Sequence, residues 1–229
     1  MKTRRFKRDI LDYLNDFIVS NNSILSSIVL SPYQKEVLIG TMLGDASLER
    51  QKPTYNAQLR FDKTYPSNER YINLLYSLFY HFIGPNESLK INKRKPEKRT
   101  GIVYSTIAFK TRRLPCFTPY HDLFYFNGIK VIPNNIKDLL TPVVLAFLIM
   151  DKGELSSSNQ TLLQTNSYTN TEVELLQFSL LKNFGLRTRL VEKRQGQRLI
   201  AIPIRQKIPL KDIVGAFMHD SMKYKIYGL

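Results

Sequence analysis

Two stretches of this sequence share one pattern and differ at the residue that would do chemistry. Leu38-Ile39-Gly40-Thr41-Met42-Leu43-Gly44-Asp45-Ala46 and Leu145-Ala146-Phe147-Leu148-Ile149-Met150-Asp151-Lys152-Gly153 are both apolar helical runs ending in small and acidic residues. Aligned position by position, Asp45 falls opposite Lys152. A carboxylate ligates a hard divalent cation. A protonated lysine does not, and it brings positive charge to the place such a cation would take. Brought together, Asp45 and Lys152 would attract each other instead. Taken singly, each run reads as an ordinary buried core helix; the repetition is what points to function.

The basic residues carry a second signal. Lys and Arg number 34 against 19 Asp and Glu, a formal charge of +15. So large an imbalance points to a polyanionic partner, because basic surfaces bind phosphates with release of condensed counterions. The cations are clustered. Arg50, Lys52, Arg60 and Lys63 form one group, Lys90, Lys93, Arg94, Lys95, Lys98 and Arg99 a second, and Arg112 and Arg113 follow. Arg187, Arg189, Lys193, Arg194, Arg198 and Arg205 repeat the arrangement in the second half. Tyr55, Tyr65, Tyr104, Asn56, Gln58, Gln195 and Gln197 interleave with them, as groups that stack on bases or read their edges. A lone run such as Lys93–Arg99 reads as a solvated turn, whereas its recurrence favours nucleic-acid binding.

A membrane surface is the competing partner for such charge. However, no apolar run approaches the roughly 20 residues that span a bilayer, and the cations are not confined to one amphipathic helix. Cys116 is the sole cysteine, which excludes an internal disulfide or a Cys-based zinc site and fits a reducing compartment. The basic start Met1–Arg8 is followed at once by Asp9, Asp12 and Asp16. It lacks the apolar core of a secretory signal and matches an acid-free transit peptide poorly, so it reads as a retained arm that touches phosphate. Abundant Asn, Ile, Lys, Tyr and Phe suggest an AT-rich gene, as organelle genes often are.

The elements that would position these residues come in the same order twice. Residues 6 to 28 read as a leading helix or two, with Ile10, Leu11, Leu14 and Phe17 on one face. Ser31-Pro32 opens the first motif helix. Ser47 to Asp62 reads as a hairpin, Ser67 to Ile83 as a helix stopped by Gly84-Pro85, and Ser88 to Lys110 as a second hairpin. Leu123 to Leu140 carries helical or irregular elements. The second motif helix, Pro142–Asp151, is followed by a strand over Gln160–Tyr168 and a helix over Thr171–Phe184. A hairpin follows over Thr188–Arg205, and final helices run from Leu210 to Tyr224. No Gly/Ser linker divides the halves, so they are expected to pack into one body. Three segments result: an arm and leading helix over 1–30, a first half over 31–135 and a second over 136–229.

On these residues the chain resembles a single-chain LAGLIDADG homing endonuclease of the omega-intron type. The paired motifs carry most of the likeness. Asn73-Leu74-Leu75-Tyr76, Lys130-Val131-Ile132-Pro133-Asn134-Asn135, Leu140-Thr141-Pro142 and Gln164-Thr165-Asn166-Ser167-Tyr168-Thr169 extend it over nearly the whole chain. The resemblance implies an α+β fold, a duplicated αββαββα unit with pseudo-twofold symmetry. Two central motif helices approach through Gly40, Gly44 and Ala146, although Phe147 opposite Gly40 departs from that rule. Antiparallel hairpins form a saddle that tracks a nucleic-acid groove.

The resemblance also implies a chemistry, one half of which is missing. In the family an acid at the foot of each motif helix holds divalent metal, usually Mg²⁺, over a scissile phosphate. Asp45 fits the first position, as a vestigial catalytic acid and as a metal ligand only if activity is retained. Lys152 stands at the second. Asp151 is expected to point away, because one residue turns a side chain by about 100° around a helix, and Glu154 lies beyond the helix end. Lys130, and Lys225 as its symmetry mate, align with basic residues that the family places near the scissile phosphates. The favoured reading is an inactive nucleic-acid binder without a cofactor. It would be monomeric, soluble and mitochondrial or otherwise organellar, on a structured RNA as a maturase or as part of a ribonucleoprotein such as a ribosome. The alternative is an active or nicking Mg²⁺-dependent DNA endonuclease, and a protein-binding module is a third reading.

Overall fold

The computed structural model describes residues 27–97, 99–193, 197–204 and 209–227. The arm and nearly all of the expected leading helix lie outside these residues, as do Lys98, Arg194, Arg205 and the side chain of Lys193.

The first motif helix, α1 (Pro32–Leu43), starts where sequence chemistry says it should. Ser31 accepts from the Gln34 N–H while the Gln34 side chain accepts from the Ser31 N–H, and Pro32 occupies the first helical turn. The second motif helix is α5 (Pro142–Lys152), capped by the Thr141 hydroxyl and again opened by proline. Both are buried on nearly every side, which is why neither shows a polar stripe. They meet at glycine. A Cβ on Gly40 would lie 2.6 Å from the Val144 carbonyl oxygen and 2.7 Å from the Phe147 Cβ, and one on Gly44 would overlap the Asp151 carboxyl. Phe147, which departs from the small-residue rule, is thus seated against the one position with no side chain to oppose it.

Between the motif helices the first half contains β1 (Ser47–Glu49), β2 (Gln58–Tyr65), α2 (Glu69–Leu78), β3 (Lys90–Lys93) and β4 (Ser105–Lys110). The second half contains β7 (Gly153–Leu155), β8 (Gln160–Gln164), α6 (Asn170–Phe184), β9 (Arg189–Lys193) and β10 (Gln197–Pro203). The strand orders are β1-β2-β4-β3 and β7-β8-β10-β9, antiparallel throughout, so each half builds the same sheet. This is the duplicated αββαββα arrangement. Its core is nearly continuous from Leu30 to Ile226 and includes the stacked pair Phe61 and Phe109, with ring centres 4.9 Å apart.

Three segments depart from the sequence expectation. β8 stops at Gln164, because the Tyr168 N–H turns back to Thr165 and a Thr169–Glu172 capping box starts α6 at once. Between α3 (Thr118–Phe124) and α4 (Ile136–Leu139) lies a small hairpin, β5 (Tyr125–Phe126) and β6 (Ile129–Lys130). It turns through Asn127 and Gly128 at φ of 50° and 77°, the positive-φ pair that Asn-Gly supplies. After α7 (Leu210–Val214) the chain ends in 3₁₀ turns rather than α-helix. Among the described residues no helix is long and apolar enough to cross a membrane.

Adding a methyl group at the helix crossing tests this packing. Gly40→Ala should lower stability by at least about 1 kcal/mol through overpacking. The measurement is a urea midpoint that falls at unchanged slope; an unchanged midpoint would contradict the close approach.

Candidate functional site

The feet of the motif helices bring four charges into contact. Asp45 follows the α1 cap residue Gly44, and Lys152 is the last residue of α5. Asp45 Oδ1 accepts from Lys152 Nζ at 2.6 Å and Oδ2 from Lys63 Nζ at 2.9 Å. Lys63 Nζ also donates to Asp151 Oδ1 at 2.7 Å, which accepts as well from the Tyr71 hydroxyl at 2.9 Å. Asp151 Oδ2 accepts from the Asp45 backbone N–H at 2.9 Å. Two carboxylates and two ammoniums therefore neutralise each other across the boundary between the halves.

Their exposures differ, and so do their ionisation equilibria. The Asp151 side chain is fully buried and Lys63 is 5% exposed, against 35% for Asp45 and 24% for Lys152. Burial alone would raise the Asp45 carboxyl, but the charges of Lys63 and Lys152 outweigh it and hold the group below the usual carboxylate range. Burial alone would lower the Lys63 ammonium, yet Asp151 and Asp45 push it above its ordinary value. The Tyr71 hydroxyl is driven well above 10 by burial and by the Asp151 charge beside it.

Two sequence expectations are corrected here. Asp151 does not point away. A rotation of about 100° from the foot position turns it into the crossing with α1, over Gly44, because that side of α5 is covered by the other helix. Lys63 does not belong to the outer binding surface. In β2 it alternates with Leu59 and Phe61 on the inward face, and its amine ends between the two acids. Sequence reasoning thus gave Lys63 and Asp151 the wrong place and missed Tyr71 as a site residue. The alternation of Leu59, Phe61 and Lys63 was the available signal for Lys63, and its apolar helical spacing was the signal for Tyr71.

The helix ends are closed by further donors. Lys130 Nζ donates to the carbonyls of Gly44 at 3.0 Å and Ala46 at 2.7 Å, while Lys225 Nζ donates to the Met150 carbonyl at 2.6 Å. The Tyr168 hydroxyl donates to the Leu43 carbonyl at 3.0 Å. Each foot therefore receives a cation where the helix dipole and unsatisfied carbonyls favour one. Burial lowers the Lys130 ammonium to about 8 and lowers Lys225 as well.

The remaining basic residues are mostly exposed, and some of the exposed ones are ion-paired as well, Lys90 with Glu87 at 3.1 Å and Arg198 with Glu192 at 3.2 Å. Lys52, Lys90, Lys93, Arg94, Lys95, Arg99 and Arg113 of the first half are exposed, as are Arg187, Arg189 and Arg198 of the second. Arg50 is turned inward, onto Asp122 at 2.8 Å and the carbonyls of Pro53 and Tyr55. Arg60 pairs with Glu49 and Asp62, both at 3.3 Å, and Arg112 donates to the His81 carbonyl at 3.0 Å. A cleft of about 640 Å³ opens over the centre, lined by Asp45, Asp62, Lys152, Glu154, Gln164 and Lys225 among others.

The centre does not fit a divalent cation. Both oxygens of Asp45 accept from ammonium groups, both of Asp151 are bonded within the core, and a lysine stands at the second acid position. Among the described residues no three His, Cys, Asp or Glu side chains are grouped to hold a metal.

Comparison with known proteins agrees with this architecture. The model of the LAGLIDADG DNA endonuclease family matches residues 35–207. The chain belongs to that family. Two relatives are named cytochrome b mRNA maturase bI2. The one from Debaryomyces hansenii is 29% identical over 83% of this chain and 72% of its own length. The one from Saccharomyces cerevisiae is 26% identical over 99% of this chain, which spans 57% of that protein. A third, the DNA endonuclease I-ChuI of Chlamydomonas applanata, is 26% identical over 86% of this chain and 95% of that one. Among solved structures, the homing endonuclease I-WcaI bound to its DNA recognition sequence superposes with a TM-score of 0.78. It is 24% identical and the match covers 88% and 89% of the two chains, a likeness of fold. This LAGLIDADG chain is thus α+β, duplicated, and built on a nucleic-acid-binding scaffold.

The buried half of the charge network should matter more than the exposed half. Asp151→Ala leaves Lys63 with the half-exposed Asp45 alone and takes the acceptor from the buried Tyr71 hydroxyl and the Asp45 N–H, and should cost about 3–5 kcal/mol. Asp45→Ala should cost less, since Lys63 keeps Asp151 and Lys152 reaches solvent; denaturant titrations giving the reverse ranking would contradict the geometry. Lys130 sets a pH signature. Burial depresses its folded-state pKa from 10.5 to about 8, so across that window the unfolded chain holds a proton that the folded chain has released. Unfolding then takes up a proton, and stability from this group rises with pH between those values. Relative to Lys130→Met, the wild type should therefore gain stability from pH 7.5 to 9.5. A constant difference would contradict the burial.

Proposed function

We propose that this LAGLIDADG chain is a nucleic-acid binder whose cleavage centre has become structural, and that it acts on a structured organelle RNA. One observation carries the loss of cleavage. The sole acid left at a foot position, Asp45, has both oxygens occupied by the ammoniums of Lys63 and Lys152. Such a centre polarises no phosphoryl oxygen and activates no water; it holds two halves together. Lys152 is the decisive substitution, and no cofactor is needed.

Binding is supported by what remains. Exposed cations crowd the first-half hairpin, at Lys90, Lys93, Arg94, Lys95 and Arg99, and recur at Arg187, Arg189 and Arg198. Tyr55 and Tyr104 stand exposed among them. RNA is favoured over duplex DNA because a binder without cleavage is retained only where binding is itself useful. The relatives named cytochrome b mRNA maturase support this choice. The same relatives support a mitochondrial setting and a ribonucleoprotein context. The internal duplication supplies both half-sites, so a monomer suffices.

The competing reading, a nicking or fully active Mg²⁺-dependent DNA endonuclease, is favoured by the likeness to I-ChuI over 95% of that protein. One experiment separates the two. Crosslinked RNA and DNA are recovered from the native compartment and rebound to the pure protein in EDTA or Mg²⁺. A binder without a catalytic metal holds one structured RNA in Mg²⁺, loses about 10³–10⁵ in affinity between 50 and 200 mM salt if 6–10 phosphates are contacted, and leaves duplex DNA intact in both buffers. Mg²⁺-dependent cutting of DNA that disappears in Asp45→Ala would overturn the proposal.

A further inference from the structure

The small hairpin beside the first motif helix carries a feature that the proposed function leaves unused. Its inner pair faces the helix foot. The Tyr125 hydroxyl accepts from the Leu48 N–H at 3.2 Å, on the outer edge of β1, and Lys130 holds the carbonyls of Gly44 and Ala46. The next pair out, Phe126 and Ile129, flanks the Asn127-Gly128 turn, and successive strand residues point to opposite faces. Both are open to solvent, 69% and 67% exposed. Large apolar side chains left that bare on a hairpin tip bury little against the described residues.

Phe126 is also one wall of a groove of about 410 Å³. Leu123, Tyr125, Val131, Ile132 and Pro133 line it as well, with the exposed amide of Asn134 beside them. Two carboxylates border it, and both are already engaged. Asp122 pairs with Arg50. Glu172 accepts from the Ile132 N–H and from the Thr169 N–H and hydroxyl. What the groove offers is an aromatic face, apolar walls and an amide, in a +15 chain, at the edge of the strand that leaves the helix foot.

We infer that this groove receives one unpaired base of the bound nucleic acid, stacked on Phe126 with its edge toward Asn134. The inference rests on the nucleic-acid reading above. A base fits better than a phosphate, because no Lys or Arg among the described residues lines the groove. It fits better than an apolar peptide, because the groove's rim residue Asp122 holds Arg50, two residues from the exposed Lys52 of the proposed nucleic-acid surface. Aromatic stacking with amide contacts at a base edge is the usual recognition of splayed, unpaired RNA bases.

The test uses the full chain and a 4-thiouridine-labelled random RNA pool selected on the wild-type protein. Phe126→Ala should weaken binding by about ten-fold, within the range for loss of one stacked base, and leave the salt dependence unchanged because no charge is removed. Phe126→Tyr should restore the affinity. Photocrosslinks should fall on the tryptic peptide Leu114–Lys130. If the pool binds but crosslinks only to Lys90–Lys110, and Phe126→Ala binds as the wild type does, the base site is overturned while nucleic-acid binding stands. A change in salt slope on Phe126→Ala would also overturn it. If no RNA or DNA binds at any salt, the nucleic-acid reading itself fails and the groove assignment falls with it.

Discussion

Everything at the centre of this molecule follows from two helices meeting backbone to backbone. Gly40 and Gly44 leave no room between α1 and α5, so the two helix C-termini end side by side. Each end brings unsatisfied carbonyls and the negative pole of its dipole. Any acid placed there adds to a charge already present. The surrounding elements answer that electrostatic demand. Lys130, Lys225 and Tyr168 donate to the terminal carbonyls, and Lys63 and Lys152 face the carboxylates. The crossing makes the charge problem, and the cations arriving from β2, β6 and the C-terminal turn resolve it.

That resolution links stability to function. In a cleaving relative of this architecture the acids must stay free enough to ligate metal, at a cost in stability. Here, on the function proposed above, both the cost and the freedom are gone. Lys63 is contributed by the first half and grips Asp151 of the second, while Lys152 of the second grips Asp45 of the first. The network is therefore a fastener between the duplicated halves. It holds the two sheets, and the basic hairpins they carry, in a fixed relation across which a nucleic acid would lie.

Much of this was legible in the residues. The repeated motif, the proline-opened helix starts and the hairpins all follow from local chemistry that acts within a few residues. So does Lys152, since a substitution in an aligned repeat needs no tertiary information. The Asn127-Gly128 turn was also readable, as a dipeptide that demands positive φ. Asp151 was not. A helical wheel drawn for α5 alone gives its direction but not what lies there, and only the partner helix makes that direction inward. Lys63 lay between these cases. Its alternation with Leu59 and Phe61 marked it as inward, but a lysine is buried only where acids wait, and those acids come from residues far away in the chain. Arg50 and Arg112 were misplaced for the same reason, as their carbonyl and carboxylate partners are tertiary.

The four-charge network also balances its own charge. With Lys152 in place, two carboxylates face two ammoniums and the cluster is neutral. An acid in place of Lys152 would set three carboxylates against Lys63, with Lys130 and Lys225 already tied to the helix-end carbonyls. Such an arrangement would be strained by like-charge repulsion before any cation arrived to relieve it. Lys152 thus stands in for the cation that such a trio would need, and the neutral cluster holds the two halves together with no ion to wait for.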